Sequence, residues 1–124
     1  MNEKPLILCA DDDADILALL ALRLERAGLR VVRATDGEQA LALSRELHPH
    51  VAVLDVMMPR LTGTQVLEAL RADPATADLR VILVSARAQQ TDIQRGLTAG
   101  ADAYLAKPFQ AAELLELVQR LLAS

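Results

Sequence analysis

VAVLDVMMP, residues 51–59, sets four small or branched apolar residues ahead of one carboxylate, Asp55, and then turns the chain at Pro59. A short, unbroken apolar run bounded by turn residues reads as a strand buried on both faces of a parallel sheet. The runs over 6–10 and 81–84 have the same character, while 31–34 and 103–106 are shorter or mixed and read as strands nearer the edges. Helical patterns fill the intervals: 14–27 stopped by Gly28, 37–47 stopped by Pro49, 63–72 stopped by Pro74, 89–98 stopped by Gly100, and 110–123. A (βα) unit repeated five times predicts a flavodoxin-like, doubly wound parallel sheet in the order 2-1-3-4-5, because right-handed crossovers leave few other arrangements. In that order Asp11 and Asp12, which end ILCADDD (7–13), emerge beside Asp55. Ser85, ending VILVS, and Lys107, in AYLAKPF (103–109), reach the same edge.

The composition limits what such an edge can serve. At 124 residues the chain reads as one domain, long enough to bury roughly 65 to 70% of its unfolded surface. A hydrophobic fraction of 52% with 24% charged residues is that of a soluble globular protein, and no internal repeat is present. The net charge of −4 leaves no basic footprint, so direct nucleic-acid binding would work against the protein's own field. The start MNEKPLILCADDD has too short an apolar core for a signal peptide, and the leucine-rich stretch 16–24 is interrupted by Arg23, so no membrane association is expected. The single Cys9, inside an apolar run, excludes an intrachain disulfide and points to a reduced, cytoplasmic setting and a buried thiol.

Carboxylates crowded at one edge repel by about 4 kcal/mol per pair at 4 Å and an effective dielectric of 20. A raised pKa on one of them could relieve this, as could a hard divalent cation; Mg²⁺ takes one or two carboxylates with waters and phosphate oxygens. Lys107 offers a fixed positive charge for a phosphoryl group and Ser85 a hydroxyl. An aspartate after a strand is as often a helix N-cap, and one of residues 11–15 is expected to cap the first helix. Asp11, Asp13 and Asp15 have calcium-loop spacing, but Ile16 stands where that loop needs glycine and Leu22 where it needs glutamate. His48 and His50 flank Pro49 without a third ligand and read as a solvated loop.

Taken together, LILCADDD, VAVLDVMMP, VILVSAR and GADAYLAKPF resemble the receiver domain of two-component response regulators, over essentially the whole chain. The resemblance implies that Asp55 accepts a phosphoryl group from the phosphohistidine of a histidine kinase or histidine phosphotransfer protein. It implies Mg²⁺, or Mn²⁺ in its place, held by Asp12, Asp55 and the Met57 carbonyl, with Asp11 acting through water. Lys107, Ser85 and the backbone N–H of Ala86 would bind phosphoryl oxygens, and Met57 and Arg87 would tune dephosphorylation. Ser85 and Tyr104 would carry the change to the surface of helix 89–98, strand 103–106 and helix 110–123. The output would pass to a downstream protein or an output domain, with a phosphorylation-dependent homodimer as one form. Because the chain stops at Ser124, a single receiver domain over 1–124 without an output domain is expected.

On a wheel of the first helix, Ile16, Leu17, Leu20 and Leu24 share the inward face and leave Leu19 and Leu22 outward with Asp15. With the resemblance, these predict that a helical bundle docks there. Two departures from the family pattern stand out. Thr62 replaces an aspartate before Gly63, and Gln110 precedes the last helix where a better cap would pair with Glu113, which is expected to loosen that helix. The Lys107–Pro108 bond is expected to be cis from the resemblance. The rival from another class is an aspartyl-phosphate hydrolase of haloacid dehalogenase type, with Asp11 and Asp13 as nucleophile and acid. No cap for a substrate is apparent in so short a chain.

Overall fold

The computed structural model describes residues 4–124. Its elements run β1 (Leu6–Ala10), α1 (Ala14–Arg26), β2 (Arg30–Ala34), α2 (Gly37–Leu47), β3 (Val51–Asp55), α3 (Gly63–Ala72), β4 (Arg80–Ser85), α4 (Gln90–Thr98), β5 (Ala103–Ala106) and α5 (Ala111–Ala123). The strands are all parallel, in the order β2-β1-β3-β4-β5, as the alternation of patterns predicts. Strand and helix ends differ from the sequence reading by one residue at several places, where caps rather than apolar residues decide them.

Alternation along each strand sorts the core into two layers. Ile7, Cys9, Val51, Val53, Ile82 and Val84 face α1 and α5, meeting Leu17, Leu20, Leu24, Leu114 and Val118. Leu8, Ala10, Ala52, Leu54, Val81 and Leu83 face the other way, meeting Ala40 of α2 and Val66, Leu67 and Leu70 of α3. β3 is buried along its whole length because it lies mid-sheet under both layers. Cys9 is fully buried, and that burial pushes its thiol up to about 12, although Arg33 pulls the other way.

Helix α4 is the least anchored. Gly96 is its one buried residue, and Leu97 is exposed. Gly96 is what allows α4 to sit close. A Cβ there would stand 2.9 Å from the Tyr104 ring and 3.1 Å from Leu83.

At the sheet edge remote from Asp55, Arg71 ties three segments together. Its Nε and Nη2 donate to the Gly100 carbonyl at 3.0 and 2.8 Å, and Nη1 donates to the carbonyls of Ala77 and Leu79 at 3.1 and 2.6 Å. Nη2 also meets Asp102 at 3.1 Å, whose carboxylate accepts from the Val81 N–H at 2.8 Å. His48 and His50 lie in an exposed loop, as read from the sequence, but His50 also has a structural part: its Nδ1 accepts from the Leu6 N–H at 3.0 Å, and its own N–H donates to the Leu6 carbonyl. Its imidazole therefore closes the entry of β1.

Helix starts follow their side chains. Asp13 caps α1, accepting from Asp15 and Ile16 N–H at 2.9 and 3.2 Å. Thr62 and Gln65 satisfy one another's backbone N–H groups at the start of α3. At the last helix Gln110 makes no side-chain cap hydrogen bond, as its poor capping ability leads one to expect. Glu113 accepts from the Gln110 N–H at 3.1 Å and supplies half of the same arrangement.

Candidate functional site

Strand register assembles the site. Ala10 pairs with Leu54, so the residue after each, Asp11 and Asp55, emerges at one level. The Asp11 N–H extends the ladder to the Ala34 carbonyl at 3.1 Å, and the Val56 N–H does the same to Val84 at 2.9 Å. Ser85 pairs with Ala106, and the Lys107 N–H bonds to the Ser85 carbonyl, which delivers Lys107 to the same edge.

The Lys107 ammonium donates to Asp11 at 3.0 Å and to Asp55 at 3.1 Å. Both carboxylates are nearly buried, whereas Asp12 is exposed. The second oxygen of Asp11 accepts from the Asp13 N–H at 2.9 Å, and that of Asp55 from the Met57 N–H at 3.2 Å. Burial first, and the Asp11 charge second, hold Asp55 above the usual carboxylate range despite Lys107. For Lys107, burial lowers basicity, but its hydrogen bonds and charge contacts with Asp11 and Asp55 prevail and hold it above the ordinary lysine value. The ammonium is therefore the counter-charge that makes two buried carboxylates tolerable.

Asp11, Asp12 and Asp55 can each offer an oxygen within 4.8 Å of the others. The donor set is all oxygen, with one member open to solvent so that waters can complete a shell. It fits a hard divalent cation such as Mg²⁺ and lacks the nitrogen or sulfur that a softer metal favours.

The flanking residues are placed as follows. Ser85 is fully buried, and its Oγ accepts from the Arg87 N–H at 2.9 Å. The Tyr104 hydroxyl donates to the Arg87 carbonyl, and its ring, half-buried, packs on the cluster beneath α2 and α3. Both side chains thus hold the same residue of the β4–α4 loop, one at its N–H and one at its carbonyl. Ala86, Arg87 and Met57 are exposed at the rim. Lys107–Pro108 is cis, as expected. Asp13 points its carboxylate at the start of α1, outside the acidic group, which removes the acid that the hydrolase reading requires. Leu19 and Leu22 are exposed at 56% and 44%. Together with Ile16, Leu20, Pro108 and Phe109, Leu19 lines a cavity of about 350 Å³ beside Lys107.

Sequence reasoning overlooked Asp13 as the clamp on Asp11 and left the cap of α1 open among residues 11–15. The D-D-D run contained the signal, since an aspartate bonds readily to the N–H two residues on.

A family model of the response regulator receiver domain matches residues 7–119. The transcriptional regulatory protein PrrA of Mycobacterium bovis is 46% identical over 119 residues, 96% of this chain and 50% of its own length. The chain spans about half the length of the curated relatives it matches. The receiver domain of Francisella response regulator 1452 superposes with a TM-score of 0.92 at 36% identity, covering 97% of this chain and 98% of that one. The receiver domain of the sensor histidine kinase PA1611 of Pseudomonas aeruginosa, whose structure has a magnesium ion coordinated in the active-site cleft, gives 0.89 at 30% identity, covering 98% and 100%. The order of elements, the acidic edge with its lysine, and these likenesses agree: the chain belongs to the response regulator receiver domain family of two-component signalling.

Proposed function

We propose that Asp55 takes a phosphoryl group from the phosphohistidine of a histidine kinase or phosphotransfer protein, in a Mg²⁺-dependent step, and that this alters the α4–β5–α5 surface. The observation behind this reading is the double contact of Lys107 with Asp11 and Asp55 beside an exposed Asp12. A carboxylate oxygen of Asp55 attacks phosphorus, the bond from phosphorus to the donor imidazole nitrogen breaks, and the imidazole keeps that electron pair. An ionised carboxylate needs no base for this, so positioning and charge neutralisation suffice. Asp12, Asp55 and the Met57 carbonyl, with Asp11 through water, would hold the Mg²⁺, which neutralises charge on the transferring oxygens when bound. Mn²⁺, of similar preference for oxygen, is expected to substitute.

Lys107 and Ser85 would each meet a phosphoryl oxygen, with the Ala86 N–H as a further donor, and Met57 and Arg87 at the rim would govern access of water. Turning Ser85 toward the new group takes its Oγ from the Arg87 N–H. That loosens the loop residue to which Tyr104 is bonded, and so links the site to α4. Leu19 and Leu22, with Asp15 beside them, and the apolar cavity against Phe109 support docking of a helical donor at α1. Among the described residues no helix is long and apolar enough to cross a membrane.

The test is intact mass after incubation with Mg²⁺ and acetyl phosphate. One phosphoryl group should be gained, and Asp55→Asn should abolish the gain; unchanged labelling of that variant would overturn the assignment. Omitting Mg²⁺ should suppress labelling.

A further inference from the structure

We infer that Gly37, at the start of α2 and outside the acidic site, is a positioning residue for the loop 56–62 that carries Met57. The inference rests on the metal-dependent reading above. The loop is closed upon itself at two places. Gly63 donates to the Val56 carbonyl at 3.0 Å, and Leu61 donates to the Pro59 carbonyl at 2.8 Å across Arg60, whose φ is 72°. A γ-turn with positive φ at its centre is rare and strained for a non-glycine residue, so it persists only where the surroundings hold it. Helix α2 supplies that hold. The Gly37 N–H donates to the same Pro59 carbonyl at 3.2 Å, and Asp36, which caps α2 through the Gln39 N–H, lies 3.5 Å from the Arg60 guanidinium.

The contact is backbone against backbone. A Cβ on residue 37 would stand 1.9 Å from the Leu61 carbonyl oxygen and 2.5 Å from its carbon, too close to be absorbed by a side-chain rotation. One partner must therefore retreat. Helix α2 is fixed on the sheet by Ala40 and Ser44, both fully buried, whereas of the loop only Met58 is buried, Leu61 is half-buried, and Met57, Pro59 and Arg60 are exposed. The displacement falls on the loop, and with it on Met57, whose N–H holds Asp55 at 3.2 Å and whose carbonyl is a proposed ligand.

The experiment titrates Mg²⁺ calorimetrically into the full chain without phosphodonor and follows amide hydrogen exchange. Gly37→Ala should bind Mg²⁺ about tenfold more weakly, the low end of what loss of an outer support costs a metal site. It should also speed exchange at the Gly63 and Leu61 amides. Gly100→Ala is the control: its φ is 112° and its Cβ would press on Arg71 at the far sheet edge, so it should lower stability while leaving Mg²⁺ affinity unchanged. Unaltered affinity and exchange in folded Gly37→Ala would overturn the inference, as would equal weakening by Gly100→Ala. If Gly37→Ala does not fold, the unmodified protein decides. Mg²⁺ should slow exchange of the Gly37 N–H together with that of Gly63, and an unresponsive Gly37 amide refutes the coupling. An unmodified chain that binds no Mg²⁺ would instead sink the metal reading itself.

Discussion

Replacing Asp55 by Asn should make the metal-free protein more stable at pH 7, although Asp55 is the residue on which the proposed chemistry turns. The structure sets both sign and size. Asp55 is nearly buried, with a carboxylate oxygen of Asp11 within 4.8 Å and Lys107 at 3.1 Å. At an effective dielectric of 20 the repulsion is at least about 3.5 kcal/mol and the attraction about 5 kcal/mol, so the attraction leads by at most about 2 kcal/mol and burial outweighs it. Its native pKa accordingly lies above the ordinary 3.8, with burial as the leading cause. A raised native pKa means that the stabilisation from protonating Asp55 is fully present below 3.8 and is lost as pH rises through the native value. Asn keeps one acceptor oxygen, which serves either the Met57 N–H or the Lys107 ammonium, and removes the buried charge. Removing the buried charge and its repulsion by Asp11 therefore outweighs the lost acceptor, and a gain on the order of 1 kcal/mol, the scale of a typical stabilising single change, is expected. Urea unfolding in chelator at low salt measures it, and the gain should shrink toward pH 4. Adding Mg²⁺ at ten times its dissociation constant stabilises the unmodified protein by about 1.4 kcal/mol, and the variant, lacking one donor, by less, so the difference narrows or reverses. An Asn variant less stable than the parent at pH 7 without Mg²⁺ would refute this account of the site.

Arg71→Met should cost about 3 kcal/mol in urea unfolding, because the carbonyls of Ala77, Leu79 and Gly100 and the Asp102 carboxylate lose a shared, partly buried donor; acetyl phosphate labelling at low temperature should be unchanged. Gly96→Ala should displace the Tyr104 ring, with which its Cβ would collide at 2.9 Å, and change the fluorescence of the single tyrosine; an unaltered spectrum would mean that α4 moves instead. Glu at both Leu19 and Leu22 should slow transfer from a phosphohistidine donor at least about tenfold while leaving labelling by acetyl phosphate intact, since only the protein donor needs that face.

The legibility of the chain follows the range of the interactions concerned. β1, β3 and β4 are buried on both faces, so their sequences are nearly continuous apolar runs; that signal is local, and from three such strands the order and the acidic edge follow. Asp11, Asp55 and Ser85 were legible because each ends such a run, and Lys107 because it follows the shorter apolar run of β5. Arg71 was not, since its partners Gly100 and Asp102 lie 29 and 31 residues further on and no local pattern marks them. The acceptor role of His50 was missed for the same reason: it depends on Leu6, 44 residues away. The part played by Gly96 is equally non-local: helix propensity counts only the cost of glycine within the helix, while the Tyr104 ring needs the space that a Cβ would fill.

Charge balance explains why one lysine suffices at an edge with three carboxylates. Asp11, Asp12 and Asp55 against Lys107 leave a formal charge of −2, of which only the Asp12 share is open to water. A divalent cation cancels it, and under the proposed reading phosphorylation of Asp55 then adds roughly one further negative charge. Esterification also removes Asp55 as an ionic partner of Lys107, since an acyl oxygen is a poorer acceptor than a carboxylate. The ammonium is left with Asp11 and the new phosphoryl oxygens to choose between. Lys107 lies on the β5–α5 junction, three residues after Tyr104, so its re-aiming and the loosening of Arg87 through Ser85 act on the two ends of the same element. Two local contacts, each tied to the phosphoryl group by one bond, would thus move together, and that is the condition for a switch with two states rather than a graded response.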